Sequence, residues 1–502
     1  MRHYDHIVVG GGASGLTVTL LLALQGRRVL LLEKAPRLGG ALARFRRGRI
    51  PFDVGFHFTG GFGEDSRGML DDMLTVMGIR DRIVPIFAPE ARCHRIAFPS
   101  TGDVHEIPSG ILRYRDKLRS DFPSDSDGIE TYFERFLHVC RETASMDLLR
   151  LSERTPALEE DFRSLQDMLD RLIGADLLKT ILSVFCLCHG TRPCEISFAN
   201  HCRLAFGLYE STARVANGGD TFVRAFEDAF KPLDVEVRLG TTLRELADFE
   251  DRKVRRFILS DGEEAAAETC VLAIHPLNIL EILPRDRVSP AFRQRIEGLE
   301  PTLGFFSVFC RQKDGPVSEA WESSVFSLLP NADLNEVMTP EWPGERPMVM
   351  LFGHEEVNGR AVKTATALEA SFYEDVARWG DTTVGRRGKA YLEYKERRTA
   401  SIRRRLLPFF PSLAEDMQVL GTASMLTFRD YLNAPFGAAY GIKQKLGQFN
   451  LMGKLPIHNL YAAGQCAILP GVLGAMTSDF FVVRAILGRE KFQSFIEGNL
   501  CR

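Results

Sequence analysis

Short aliphatic runs alternate with helical periodicity at both ends of the chain. His6-Ile7-Val8-Val9 suits a buried parallel strand, residues 16–25 read as an apolar helix stopped by Gly26, and residues 29–32 read as a second strand ending at Glu33. Further on, Phe222, Val223, Ala225, Phe226 and Phe230 fall on one helical face behind Gly218-Gly219, and residues 235–239 alternate as a strand. Residues 243–246 follow, and 254–259 with 269–274 flank the turn Ser260-Asp261-Gly262-Glu263 before His275-Pro276. Near the end, residues 459–463 read as a strand, followed by Gly464-Gln465 and a helix running from Gly474 toward Gly488. The long stretches between are different. Residues 71–214 are largely helical, as in 129–137; residues 286–419 mix strands at 304–311 and 348–352 with helices at 369–379 and 390–407.

The first strand runs into Gly10-Gly11-Gly12-Ala13-Ser14-Gly15, a G-x-G-x-x-G between strand and helix, with Glu33 closing the next strand. Gly10 permits a tight turn, Gly12 admits a pyrophosphate to the backbone, and Gly15 lets helix and strand pack closely. The helix N-terminus offers unpaired N–H groups to the phosphates. Glu33 is placed to accept hydrogen bonds from both hydroxyls of an adenosine ribose, so the segment reads as a dinucleotide site. Lys34-Ala35-Pro36-Arg37-Leu38-Gly39-Gly40 adds a glycine pair that a simple dehydrogenase does not need. A flavin does need it, because its ribityl chain and ring extend past the pyrophosphate.

The run Glu33-Lys34, Gly39-Gly40 and Phe52-Asp53-Val54-Gly55 resembles flavoproteins that include phytoene desaturases, carotenoid isomerases and retinol saturases, with amine oxidases and protoporphyrinogen oxidase more distant. The resemblance implies an α/β fold: a Rossmann-type FAD-binding domain assembled from 1–70, 215–285 and 420–502, with an α+β substrate-binding domain from 71–214 and 286–419. It also implies that Leu243 meets the adenine through its backbone. Gly464-Gln465 stands where the wider fold has Gly-Asp, a departure shared with the retinol-saturase-like branch; an amide donates to a phosphate without adding charge. The helix after Gly474 is expected to aim its amides at the flavin pyrimidine edge. The expected cofactor-binding set is Gly10, Gly12, Ala13, Ser14, Gly15, Glu33, Lys34, Gly39, Gly40, Ala41, Leu243, Gly464, Gln465, Val472, Leu473 and Gly474.

Catalytic candidates are fewer. Leu426-Thr427-Phe428-Arg429-Asp430-Tyr431, continuing to Tyr440-Gly441, resembles a segment at the substrate face of the flavin, which nominates Arg429 and Tyr431; His57 follows the Asp53-Val54-Gly55 turn. For each, a purely structural role stays open. Hydride exchange with flavin needs few catalytic side chains, in keeping with the lack of an acid–base constellation. The expected substrate is a hydrophobic polyene or isoprenoid-like lipid undergoing saturation, desaturation or cis–trans isomerisation, with an unidentified electron donor or acceptor. Two alternatives stay open: a flavoenzyme of amine-oxidase or porphyrinogen-oxidase type acting on a compact substrate, and a non-enzymatic prenyl or lipid carrier of the same fold. The complete set of site glycines is more than a carrier requires.

Composition narrows partners and setting. Lys plus Arg is 63 against 66 Asp plus Glu, a net charge of -3, which provides no broad basic field for a nucleic acid. Ten cysteines in 502 residues are sparse, so disulfides are not expected and a cytoplasmic setting is. Cys186, Cys188, His189, Cys194, His201 and Cys202 crowd together but lack paired metal-ligand spacing, so no metal is expected. No apolar run reaches the roughly 18 residues of a membrane span. Arg403-Arg404-Arg405-Leu406-Leu407-Pro408-Phe409-Phe410 sets charge beside aromatics, either as a peripheral membrane contact or as a solvated helix end with a proline stop.

Overall fold

Five parallel strands occupy the centre of the larger sheet: Leu460–Ala462, Glu264–Leu272, Arg2–Val9, Val29–Glu33 and Val235–Leu239, side by side in that order. This computed structural model describes residues 1–500 apart from Glu64, 313–324, 331–332, Phe449 and Met452. Successive side chains of these strands feed opposite cores, as a sheet covered on both faces demands. Val8 and Leu31 face the helices Ala13–Ala23, Gly219–Phe230 and Gly471–Leu487, while Ile7, Val9, Leu30 and Leu32 enter the core on the other side. The strand Glu264–Leu272 also pairs antiparallel with Lys253–Leu259, and that strand with Leu243–Glu250.

A second sheet runs Met417–Ala423, Gly304–Gln312, Arg360–Ser371, Met348–Val357, Val325–Leu328, His94–Phe98 and Asp103–Ile107. Its neighbours are antiparallel except for His94–Phe98 beside Val325–Leu328, a pairing that unites the two long stretches between the nucleotide segments. Helices Ser126–Glu142, Leu165–Leu172 and Phe198–Glu210 share a core with one face, and Gly388–Leu406 with the other.

Two expectations change. Residues 369–379 are not a helix. The strand Arg360–Ser371 takes the first of them, and the short turns Tyr373–Asp375 and Ala377–Trp379 follow. Glu369 sits opposite both Phe306 and Met348, so pairing on two sides outweighs its helical preference. The C-terminal helix begins at Gly471, putting Gly474 inside its first turn. The run 403–410 closes the helix Gly388–Leu406 with Arg403, Arg404, Leu407 and Pro408 exposed, while Arg405 donates to buried Glu369 at 2.6 Å and the Phe410 ring lies 4.6 Å from that of Phe326. The nine described cysteines are unpaired, and Cys501 lies outside the described residues. Among the described residues no helix is long and apolar enough to cross a membrane.

Candidate functional site

The first glycine loop is fixed by contacts that admit no side chain. A Cβ on Gly15 would lie 1.6 Å from the Gly10 carbonyl oxygen, and one on Gly10, at φ 103°, would lie 2.6 Å from that of Ala273. Gly12 differs: a Cβ there meets nothing within 4 Å. Gly12 also caps the helix Ala13–Ala23 without a side-chain hydrogen bond, and the first turn carries no acid. The site therefore couples an open face to unsatisfied helix-end amides, the requirement for an anion.

The glycine pair closes against this loop. The Gly39 amide donates to Gly11 O at 2.8 Å, and a Cβ on Gly40 would stand 3.2 Å from Gly12 Cα. Gly55 donates to Ala41 O at 3.1 Å, and both are exposed although buried Leu42 and Phe56 adjoin them; they form a trough wall. At the nucleoside end, Glu33 accepts from Gly11 N at 2.6 Å and Ala35 N at 2.7 Å, which leaves lone pairs for a ribose. Thr241 N bonds Glu33 O at 3.0 Å and so brings Leu243, itself buried, to this end. Lys34 is exposed, 3.5 Å from Asn433 Oδ1.

The chain's last segments complete the trough. Gly464 donates to Ser478 Oγ at 2.9 Å, and a Cβ on it would face Ser14 at 3.6 Å. Gln465 is half-buried beside Gly441. The helix Gly471–Leu487 starts without a side-chain cap or an acid in its first turn, with Val472 and Leu473 partly accessible there. Two bare helix N-termini, an open Gly12 and an acid at the far end fit a flavin dinucleotide laid along one groove.

The catalytic candidates separate. His57 remains partly accessible, and burial, reinforced by Arg44, brings its imidazole down to about 4, so the ring is neutral at pH 7. Arg429 is engaged by Gly380 O at 2.6 Å, Thr382 O at 3.4 Å and Asp430 at 2.9 Å. Tyr431 is 67% exposed. Both therefore stand in the outer shell of the helix Met425–Leu432, not in the trough. Tyr440, which adjoins Gly441 and hence Gln465, is half-buried instead and packs against the helical core. Its ring meets Phe305 edge-on at 6.1 Å, its hydroxyl has no hydrogen-bond partner among the described residues, and burial, with Cys188 adding, raises its pKa well above the usual tyrosine value. The half-buried phenol is protonated at neutral pH, and burial makes it a weaker acid than a free tyrosine. Sequence reasoning quoted this residue without choosing it; the Gly437 and Gly441 pair, which folds it inward, was the available signal.

Cys186, His189 and His201 do come together, with ligand atoms within 4.8 Å, all buried. However, Thr191 N donates to His189 Nδ1 at 3.3 Å, which puts that ring's proton on Nε2 and removes it as a ligand.

A family model described as flavin containing amine oxidoreductase matches residues 13–368. The chain belongs to this family. It is 25% identical to the all-trans-retinol 13,14-reductase of Danio rerio over 97% of this chain and 86% of that protein. It is 29% identical to the chloroplastic prolycopene isomerase of Daucus carota over 30% of this chain. An oxidoreductase from Methanosarcina mazei, 14% identical, superposes with a TM-score of 0.64 over 95% of this chain and 99% of that one. The protein is an FAD-dependent oxidoreductase with a Rossmann-type α/β fold.

Proposed function

We propose that this flavoenzyme exchanges hydride and proton at carbon–carbon double bonds of an elongated apolar polyene. The observation that carries the reading is an unsealed face of the second sheet. Phe305, Val349, Leu351 and Leu368, which face the helical layer, keep 7–9% exposure, whereas their opposite-face neighbours Phe306, Met350 and Ala367 keep 0–1%. Space thus remains along an apolar strip that ends at Tyr440. The full-length likeness to a retinol 13,14-reductase and the partial likeness to a prolycopene isomerase support a polyene substrate.

When bound, FAD supplies or accepts the hydride. The protein binds the chain between sheet and helices, excludes water, and holds a proton on Tyr440 Oη. In the reductive direction one alkene carbon gains hydride and the other gains the proton that Tyr440 Oη holds. The cofactor-binding set proposed for this chemistry is the one lining the trough from Gly10 to Gly474, with His57 as a neutral neighbour and Tyr440 in place of Tyr431 and Arg429. The bipartite organisation, with the FAD-binding unit from 1–70, 215–285 and 420–502, belongs to the same reading.

The test is anaerobic reduction of the bound flavin followed by all-trans polyenes. Flavin reoxidation with a product two hydrogens heavier is expected; unchanged mass with new geometry would mean isomerisation. A reduced flavin that no polyene reoxidises, together with an oxidised flavin that amines bleach, would overturn the polyene reading.

A further inference from the structure

Asp479 is a fully buried carboxyl group with a single partner. It lies in the helix Gly471–Leu487, has no exposed surface, and receives the Ser14 hydroxyl hydrogen on Oδ1; Oδ2 has no partner among the described residues. Ser14 belongs to the first turn of the helix whose bare amides face the pyrophosphate trough, so the carboxyl sits directly behind an anion site. The elements packed on its helix carry charged groups of their own: Asp71 and Asp72 on Met69–Val76, Lys454 on Gly453–Lys454, and Arg489, Glu490, Lys491 and Glu497 on Arg489–Leu500. None of these, nor Arg484 on the same helix, makes a hydrogen bond or ion pair with it. Burial alone drives its pKa well above the usual carboxylate range, with the Ser14 hydrogen bond opposing. An ionised carboxylate here would be desolvated, unpaired and set against a phosphate.

We propose that Asp479 is a positioning residue for the cofactor: a neutral carboxylic acid that donates to Ser14 Oγ and so turns the Ser14 hydroxyl hydrogen toward the pyrophosphate. Without cofactor the serine donates to the acid. When the phosphate arrives, the serine donates outward and the acid supplies the bond behind it. The hydroxyl has one donor and two acceptor sites, which allows both arrangements without moving the backbone.

The inference rests on the first glycine loop being the pyrophosphate site, which Gly12→Ala tests separately: unchanged FAD affinity in that variant would refute the site itself. Apoprotein is titrated with FAD and followed by flavin fluorescence, with thermal melting as the folding control. Asp479→Asn, which keeps a neutral donor, is expected to stay within about threefold of wild type. Asp479→Leu and Ser14→Ala are each expected to weaken binding at least tenfold. The double variant S14A/D479L is expected to be no more than about twofold weaker than either single one, because the two act through one bond. Should D479L not fold, the cycle of S14A, D479N and S14A/D479N decides: removing Ser14 must cost at least tenfold in either background. Asn binding as weakly as Leu would overturn the proposal by reducing Asp479 to a packing role. Asn binding at least tenfold tighter than wild type would overturn it by showing the native carboxyl to be ionised.

Discussion

Arg44 and Glu355 tie the hairpin that follows the glycine pair to the second sheet through a two-pronged ion pair, Nη1 to Oε2 at 3.1 Å and Nη2 to Oε1 at 2.5 Å. Arg44 leads the hairpin strand Arg44–Arg47 just after the glycine pair, and Glu355 lies on Met348–Val357 of the second sheet. Arg44 is almost fully buried and also lies 2.9 Å from Asp53, whose carboxyl burial lifts to about 6 against the pull of Arg44. Removing the cation would strand two anions in low dielectric. Arg44→Met is therefore expected to lower unfolding stability by about 3–5 kcal/mol in urea titrations, and adding Glu355→Met to recover part of it. A single variant within about 0.5 kcal/mol of wild type would show the pair to be solvated.

Stability should fall in mild acid. Burial holds the imidazoles of His6, His57 and His275 at about 4 and those of His94 and His201 at about 3. Their unfolded value is near 6.5, so as pH falls below 6.5 the unfolded chain takes up protons that the folded chain refuses. The stabilisation is complete above 6.5 and is lost as pH falls toward 4, at about 1.4 kcal/mol per pH unit for each ring. Asp53 and Asp72, both lifted to about 6 chiefly by burial, and Asp479, held well above the usual carboxylate range, work in the opposite sense, but the five imidazoles outnumber the three acids. The urea midpoint is expected to drop steeply from pH 7 to pH 5; a flat or rising midpoint would contradict this.

The nucleotide half of the fold was legible because its determinants are local. Val8, Leu31 and their neighbours form continuous apolar runs, as strands covered on both faces must, and the spacing from Gly10 to Glu33 is set by a single strand–helix–strand unit. Glu369 was misread because its conformation is set by Phe306 and Met348, partners distant in sequence, while its own neighbourhood has helical periodicity. Tyr431 was preferred to Tyr440 for the same reason. The chain reverses at Phe436, with φ 60°, and Thr302 N then bonds Gly441 O at 2.9 Å. That docking turns Tyr440 inward, and nothing local to the motif encodes Thr302.

The two tyrosines make opposite forecasts. Tyr440→Phe removes the proton but keeps the ring against Phe305, so kcat for polyene reduction should fall about 10²–10⁴-fold, with polyene binding to the oxidised enzyme unchanged. Tyr431→Phe, altered on an exposed side chain, should leave both within about twofold. Equal effects from the two, or a Tyr440→Phe defect confined to binding, would remove Tyr440 from the chemistry.

Gly12 separates folding from cofactor capture. Its φ of -79° and ψ of -173° are open to any residue, and a Cβ there meets no atom within 4 Å. Gly12→Ala should therefore leave the apoprotein's melting temperature within about 2 °C of wild type, since no contact is lost and no backbone strain is introduced. The same methyl would occupy the face through which the pyrophosphate reaches the helix amides, so FAD affinity should drop at least a hundredfold. Gly15→Ala is the contrasting control: its Cβ would lie 1.6 Å from Gly10 O, so the strand–helix packing itself should fail and the protein should not fold. A Gly12→Ala protein that melted normally and still carried FAD would mean that the pyrophosphate passes elsewhere, whereas loss of both fold and flavin would mean that the open face is filled by protein.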